Sequence, residues 1–168
     1  MRELVNIVNE DDQVIGEKWR DELTENDRWR IIIVWVKDVD GRHLLQQRSL
    51  TKEIHPGVWT SACAGTITAN DTPLETAIRE LAEEIGLQVK PDELKRSGVV
   101  KYRDPSKGFR IGYGYQLVID HIPSEQFTIQ TDELEQVKWF SSEEIEALYK
   151  NSPELFPIYD QYRELGYI

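Results

Sequence analysis

The sequence contains a single cysteine, Cys63, and a single methionine, Met1. One thiol cannot close a disulfide within the chain, so the fold must rest on its core, as suits a reducing compartment. Positive charge is also scarce: 20 Lys and Arg oppose 31 Asp and Glu, for a net charge of −11. Such a surface repels phosphate chains and anionic lipid as a whole, which argues against a nucleic-acid polymer or a membrane as partner. A small anionic substrate remains compatible, provided metal ions and a few local cations reverse the field in one cleft. Long apolar runs are missing too. The opening Met1-Arg2-Glu3-Leu4-Val5 reads as neither signal peptide nor span, and the expected location is the cytoplasm. Repeats and low-complexity linkers are absent. At 168 residues, 39% hydrophobic and 30% charged, the chain fits one domain, residues 1–168, able to bury a core without staples.

What is present is an alternation of strand and helix signals. Leu4–Val8 and Val14–Arg20 read as short strands around the acidic turn Asn9-Glu10-Asp11-Asp12. Ile31–Val36 is a β-branched run of the kind buried on both faces of a sheet. Asp38-Val39-Asp40-Gly41 then turns the chain into a hairpin partner at His43–Gln47. Further strands are expected at Val58–Cys63, Gly98–Tyr102, Ile111–Ile119 and Gln136–Phe140. Helices are expected over Ser142–Tyr149 and from Ser152-Pro153 to about residue 166, the last with Leu155, Ile158, Tyr159, Tyr162 and Leu165 on one side. That apolar side can cover the same domain or a second copy in a homodimer.

The informative segment is residues 73–86. Thr72-Pro73-Leu74-Glu75 supplies an N-cap, a proline at the first helical position and a glutamate three after the cap, while Gly86 supplies a left-handed stop. Leu74, Ile78, Leu81 and Ile85 recur at helical spacing and face the core. Glu80, Glu83 and Glu84 fall on a different face, and Arg79, four from Glu83 and four from Glu75, can brace them. Taken alone, three acids on a helix are a solvated face. Their alternative is a hard-cation site, since compact oxygen ligands suit Mg²⁺ or Mn²⁺.

The wider pattern favours the second reading. From Gly65 through Asp71, Arg79-Glu80-Leu81, Glu83-Glu84 and Gly86-Leu87, the sequence resembles the Nudix box, with Asp71 in place of the box's first glutamate. Ala64 and Asn70 replace glycines that commonly flank the loop, and Asn70 tolerates positive φ. The resemblance spans roughly residues 4–150 and the box residues 65–87. It implies an α/β fold, the α/β/α sandwich with a mixed sheet between helices, and Mg²⁺- or Mn²⁺-dependent hydrolysis of a diphosphate linkage in a nucleoside diphosphate derivative or related organic pyrophosphate. Glu80, Glu83 and Glu84 would bind metal, with Glu80 and Glu84 the firmest ligands. Arg79 would orient the glutamates, and the base that takes the proton would come from Glu80, Glu83, Glu133 or Glu135.

The segment Arg48-Ser49-Leu50-Thr51-Lys52 through Pro56-Gly57-Val58-Trp59 is similar to the diphosphate-binding stretch of type 1 isopentenyl diphosphate isomerase, which points to Arg48 and Lys52 as substrate-binding cations. The isomerase's catalytic cysteine, however, falls on Ala64, its following histidine on Thr66, and its later glutamates near Ile111 and Tyr113. Cys63 is one place early and reads as a small buried residue. Hydrolysis is therefore the expectation, with an isomerase-like enzyme or a silent nucleotide-sensing domain as alternatives. The latter would usually have lost a helix glutamate, and none is lost. His43, His55 and His121 lack metal-ligand spacing and read as loop caps or surface residues. Trp59, Tyr102, Tyr113 and Tyr115 read as packing aromatics, and Arg103, Lys107 and Arg110 as a basic stretch that either guides an anion or ends a solvated hairpin.

Overall fold

The computed structural model describes residues 2–104 and 108–168. Lys107 lies outside the described residues. The strands run β1 (Leu4–Val8), β2 (Val14–Trp19), β3 (Arg28–Asp38), β4 (His43–Arg48), β5 (Trp59–Ser61), β6 (Cys63–Thr66), β7 (Lys95–Asp104), β8 (Gly108–Ile119) and β9 (Leu134–Phe140). Three helices accompany them: α1 (Pro73–Ile85), α2 (Ser142–Asn151) and α3 (Tyr159–Glu164).

All nine strands form one mixed sheet organised around β3. One edge of β3 is paired in parallel with β8 along its whole length, Arg28↔Phe109 to Asp38↔Ile119. Along the other edge it meets β1 at Trp29, β6 from Ile31 to Val34 and β4 at Val36–Lys37, all antiparallel. Full pairing explains why β3 outruns its apolar core and takes in the flanking Arg28 and Arg30. Its alternate residues serve two cores. Ile32, Val34 and Val36 pack beneath α1 with Leu81 and Ile85, whereas Ile33 and Trp35 pack against Ile145, Tyr159 and Tyr162 of the C-terminal helices. Helices on both faces of a mixed sheet make the α/β/α sandwich that was expected.

Two elements depart from expectation. Val58–Cys63 is not one strand, because the chain bends at Ala62. β5 pairs with β4, and β6 crosses to pair with β3. The Ser61 hydroxyl donates to the Cys63 carbonyl at 3.0 Å, and the Ser61 amide, freed from the ladder, donates to the Tyr162 hydroxyl at 2.9 Å. The final helix is also broken, into a single 3₁₀ turn at Pro153–Leu155 and the short α3. Pro157 lacks the amide a continuous helix needs there and disfavours helical backbone in the residue before it. The apolar residues nevertheless cover the chain's own sheet: Tyr159, Tyr162, Leu165 and Tyr167 all join the second core. Among the described residues, no helix is long and apolar enough to cross a membrane.

Candidate active site at the glutamate helix

The caps of α1 form as its sequence dictates. The Thr72 hydroxyl accepts from the Glu75 amide, Glu75 reaches back to the Thr72 amide, and Gly86 closes the helix at φ 72°. Glu75 is thereby committed to the cap, and Arg79 turns instead to Asp71 (3.6 Å), Glu80 (2.9 Å) and Glu83 (3.0 Å). Asp71, the shortened box position, thus still reaches the arginine. Asn70 does not use positive φ; among the described residues only Asp12 and His55 do so without being glycine.

The three glutamates do not share one environment. Glu83 is exposed and held outward by Arg79. Glu80 lies across Gly65 so closely that a Cβ there would sit 2.6 Å from its Cδ. Glu84 is 8% exposed and lies on the buried face with Ala77 and Leu81, not on a separate acidic face. Burial, then the neighbouring Glu80, pushes the Glu84 carboxyl up to about 8. Burial also raises Glu80, against the lowering effect of Arg79. The structure therefore brings Glu80 and Glu84 together and leaves Glu83 at the solvent side.

Residues from four other segments close on this pair. The buried Gln46 of β4 donates its amide to Glu84 Oε2 and to the Ala62 carbonyl, both at 3.2 Å. The Cys63 thiol of β6 bonds Glu84 and is pushed upward by burial and by both carboxyls. Cys63 is buried as expected, but it faces the glutamates. From the loop before β9, the Gln130 amide donates to the Glu84 carbonyl (2.9 Å), and Glu133 is close enough to raise Glu84 further. From the loop after β4, Lys52 pairs with Glu133 at 2.6 Å, and the Ser49 amide donates to the Glu133 carbonyl at 2.9 Å. Arg48 is folded toward its own loop, with Nε 3.4 Å from the Ile54 carbonyl. Glu135 is exposed at a bulge in β9, where Leu134 pairs with Arg48 and Gln136 with Gln47.

Gln46 and the Lys52–Glu133 pairing were not visible in the sequence, because they depend on which strand and loop lie over the helix. The remaining candidates resolve as packing. Trp59 and Tyr102 belong to the second core, and Tyr113 and Tyr115 to the first. His43 is buried rather than at a surface: it accepts at Nδ1 from the Trp35 indole (2.8 Å) and donates through Nε2 to Ser142 (2.9 Å). Burial and then Lys37 pull it down to about 4. Arg110 is likewise no hairpin end but a buried cation 3.3 Å from the Trp29 ring centroid.

The profile of the NUDIX domain family matches residues 27–162. The chain belongs to the Nudix family. It is 33% identical over 146 residues to the uncharacterized Nudix hydrolase YfcD of Salmonella typhi, covering 86% of this chain and 76% of that protein. It is 36% identical over 104 residues to an isopentenyl-diphosphate Delta-isomerase of Streptomyces avermitilis, covering 61% of this chain and 52% of that one. Among solved structures, DR0079 from Deinococcus radiodurans superposes with a TM-score of 0.72 at 20% identity, over 89% of this chain and 90% of that one, which shows the shared fold. Its relatives place the chain among the Nudix hydrolases.

A divalent cation, general in Nudix enzymes, fits the donor set. Among the described residues no three His, Cys, Asp or Glu side chains gather into one shell. Mg²⁺ needs less than that, since it keeps several waters and is usually bound by one or two carboxylates together with substrate phosphates. Glu80 and Glu84 supply two hard oxygen donors whose charge is costly to hold without a cation beside them. The protonated Cys63 thiol is a soft group and no competitor for such an ion.

Proposed function

We propose that the protein hydrolyses a diphosphate linkage in a nucleoside diphosphate derivative or related organic pyrophosphate, with Mg²⁺ or Mn²⁺ held by Glu80 and Glu84. The observation that carries this reading is the meeting of these two carboxyls beside Gly65, one of them buried. When bound, the ion neutralises the diphosphate oxygens and lowers the pKa of a water for in-line attack on phosphorus.

The protein's own groups divide the remaining work. Arg79 fixes Glu80, and the Gln46 amide fixes Glu84. Glu83 remains the solvent-side carboxylate of the helix. In this reading Glu133, which neighbours Glu84 and is tethered by Lys52, takes the proton from the attacking water. Lys52 of the facing loop and Arg48 at the end of β4, which rest on Glu133 and the Ile54 carbonyl, are the cations that would turn to the diphosphate. Cys63, protonated among carboxyls, is a poor nucleophile, which favours hydrolysis over a cysteine-dependent isomerisation.

A screen of nucleoside diphosphates, diphospho-sugars, dinucleoside polyphosphates and isoprenoid diphosphates in Mg²⁺ or Mn²⁺, read by phosphate release, tests the reading. Glu84→Gln is expected to lower kcat by roughly a hundredfold or more, at the upper end of what disturbing a metal site costs. Turnover by that variant near the wild-type rate would rule out the metal assignment.

A further inference from the structure

A second group of cations lies away from the glutamate helix. A cleft of about 510 Å³ is lined by the ends of β7 and β8, the start of β3 and the β1–β2 turn. Among the described residues, none that lines it comes from α1, β6, the loop after β4 or the loop before β9. Among the described residues it carries the basic side chains Arg28, Lys101 and Arg103 on one sheet face, with Arg110 buried on the other, against two acids, Glu10 and Asp11, in a chain whose net charge is −11.

The sheet register builds this excess. Phe109 pairs with Arg28 across the β3–β8 ladder and with Arg103 across the β7–β8 ladder. Residues paired laterally share a face, so Arg28, Phe109 and Arg103 form one row across three strands, with Lys101 two positions along from Arg103 on the same face. The two arginine stems are then about 10 Å apart, twice the strand spacing. Both guanidinium carbons lie over the Phe109 ring, Arg28 at 4.8 Å and Arg103 at 5.5 Å from its centroid. Stacking on an aromatic leaves the planar edge of a guanidinium open to an oxyanion. The acid nearest the row is a loose occupant: the Glu10 side chain is 86% exposed and stands 3.3 Å from Arg28, while Lys101 donates only to the Glu10 backbone carbonyl.

We propose that this cleft binds a multivalent oxyanion of the di- or triphosphate class, at a site separate from the helix glutamates, with the Glu10 carboxylate holding the place of one ligand oxyanion. The anion is either a free effector or the far end of a substrate. The proposal does not depend on the metal assignment, and its test needs no metal.

Inorganic triphosphate is titrated calorimetrically into the full chain in excess chelator. Wild type is expected to bind, Arg28→Gln/Arg103→Gln to bind at least tenfold more weakly, and Glu10→Gln to bind more tightly. Arg48→Gln/Lys52→Gln, at the facing loop of the other site, is expected to bind as wild type. The single Lys101→Gln change, at an exposed position, provides a weakened variant should the double arginine variant fold poorly. Absence of binding by wild type, equal binding by the Arg28/Arg103 and Lys101 variants, or loss of binding in the Arg48/Lys52 variant instead would overturn the site. Rates in Mg²⁺ then separate the sources. A raised KM at unchanged kcat in Arg28→Gln/Arg103→Gln marks the far end of a substrate. An unchanged KM, with triphosphate altering the wild-type rate, marks an effector.

Discussion

Gly65→Ala adds one methyl group at the point where the strand sheet meets the glutamate helix. The added carbon would lie 2.6 Å from Glu80 Cδ, 2.8 Å from Cγ and 2.9 Å from Oε1, whereas ordinary contact begins near 3.4 Å. Gly65 is paired to Ile32 in the β6–β3 ladder, so the backbone is not free to retreat. The Glu80 side chain must instead swing out by most of an ångström, away from the Arg79 contact of 2.9 Å. Overpacking of this kind costs about 1–3 kcal/mol of stability. For a chain of this size that is a fall in melting temperature of roughly 2–10 °C. The larger effect falls on turnover, because a displaced ligand costs about 10- to 100-fold in affinity or activity. The decisive assay is a double-mutant cycle. In a Glu80→Ala background the clash is gone, and Gly65→Ala should then be close to neutral in both stability and rate. A coupling of about 1 kcal/mol or more between the two positions is expected. Equal losses in both backgrounds, or a Gly65→Ala enzyme with wild-type kcat and metal affinity, would refute the reasoning.

Three further outcomes follow from the same geometry. Because Glu84 is pushed up to about 8 in the folded chain from an ordinary 4.5, its own contribution to metal-free stability should be full below pH 4.5 and be lost as pH rises toward 8. The fall is at most about 5 kcal/mol, and urea denaturation in chelator should show Glu84→Gln with a flatter pH dependence than wild type. Tyr162→Phe removes the acceptor of the Ser61 amide and should cost about 1–3 kcal/mol in thermal unfolding with little change in kcat. Lys52→Gln frees Glu133 from its 2.6 Å ion pair and should shift the pH–rate profile as well as raise KM, measured with whichever diphosphate the screen identifies.

The local parts of this molecule were readable residue by residue. The cap, proline and terminal glycine of α1 dictate its limits, and the β-branched run at Ile31–Val36 marks the central strand, because both signals depend on near neighbours. The bend at Ala62 was not readable, since the hydroxyl that takes up the freed Ser61 amide arrives from Tyr162, far along the chain. For the same reason the difference in burial among the three glutamates is not legible in their helical spacing. Helical spacing puts Glu80, Glu83 and Glu84 near one another, but only the packing of β4 and β6 beneath α1 decides which is buried. The broken C-terminal helix is a different case: the apolar periodicity runs on across Pro157, whose missing amide ends the helix that the periodicity suggests.

The clip that joins the facing loops to the glutamate helix is made of main chain. The Gln130 amide meets the Glu84 carbonyl, and the Ser49 amide meets the Glu133 carbonyl. Neither bond requires a particular side chain at Gln130 or Ser49. The loops can therefore exchange most of their residues, and with them the shape offered to a substrate, while the catalytic frame stays anchored. Apart from Lys52 and Glu133, such a design lets the loop side chains change without loosening the main-chain clip.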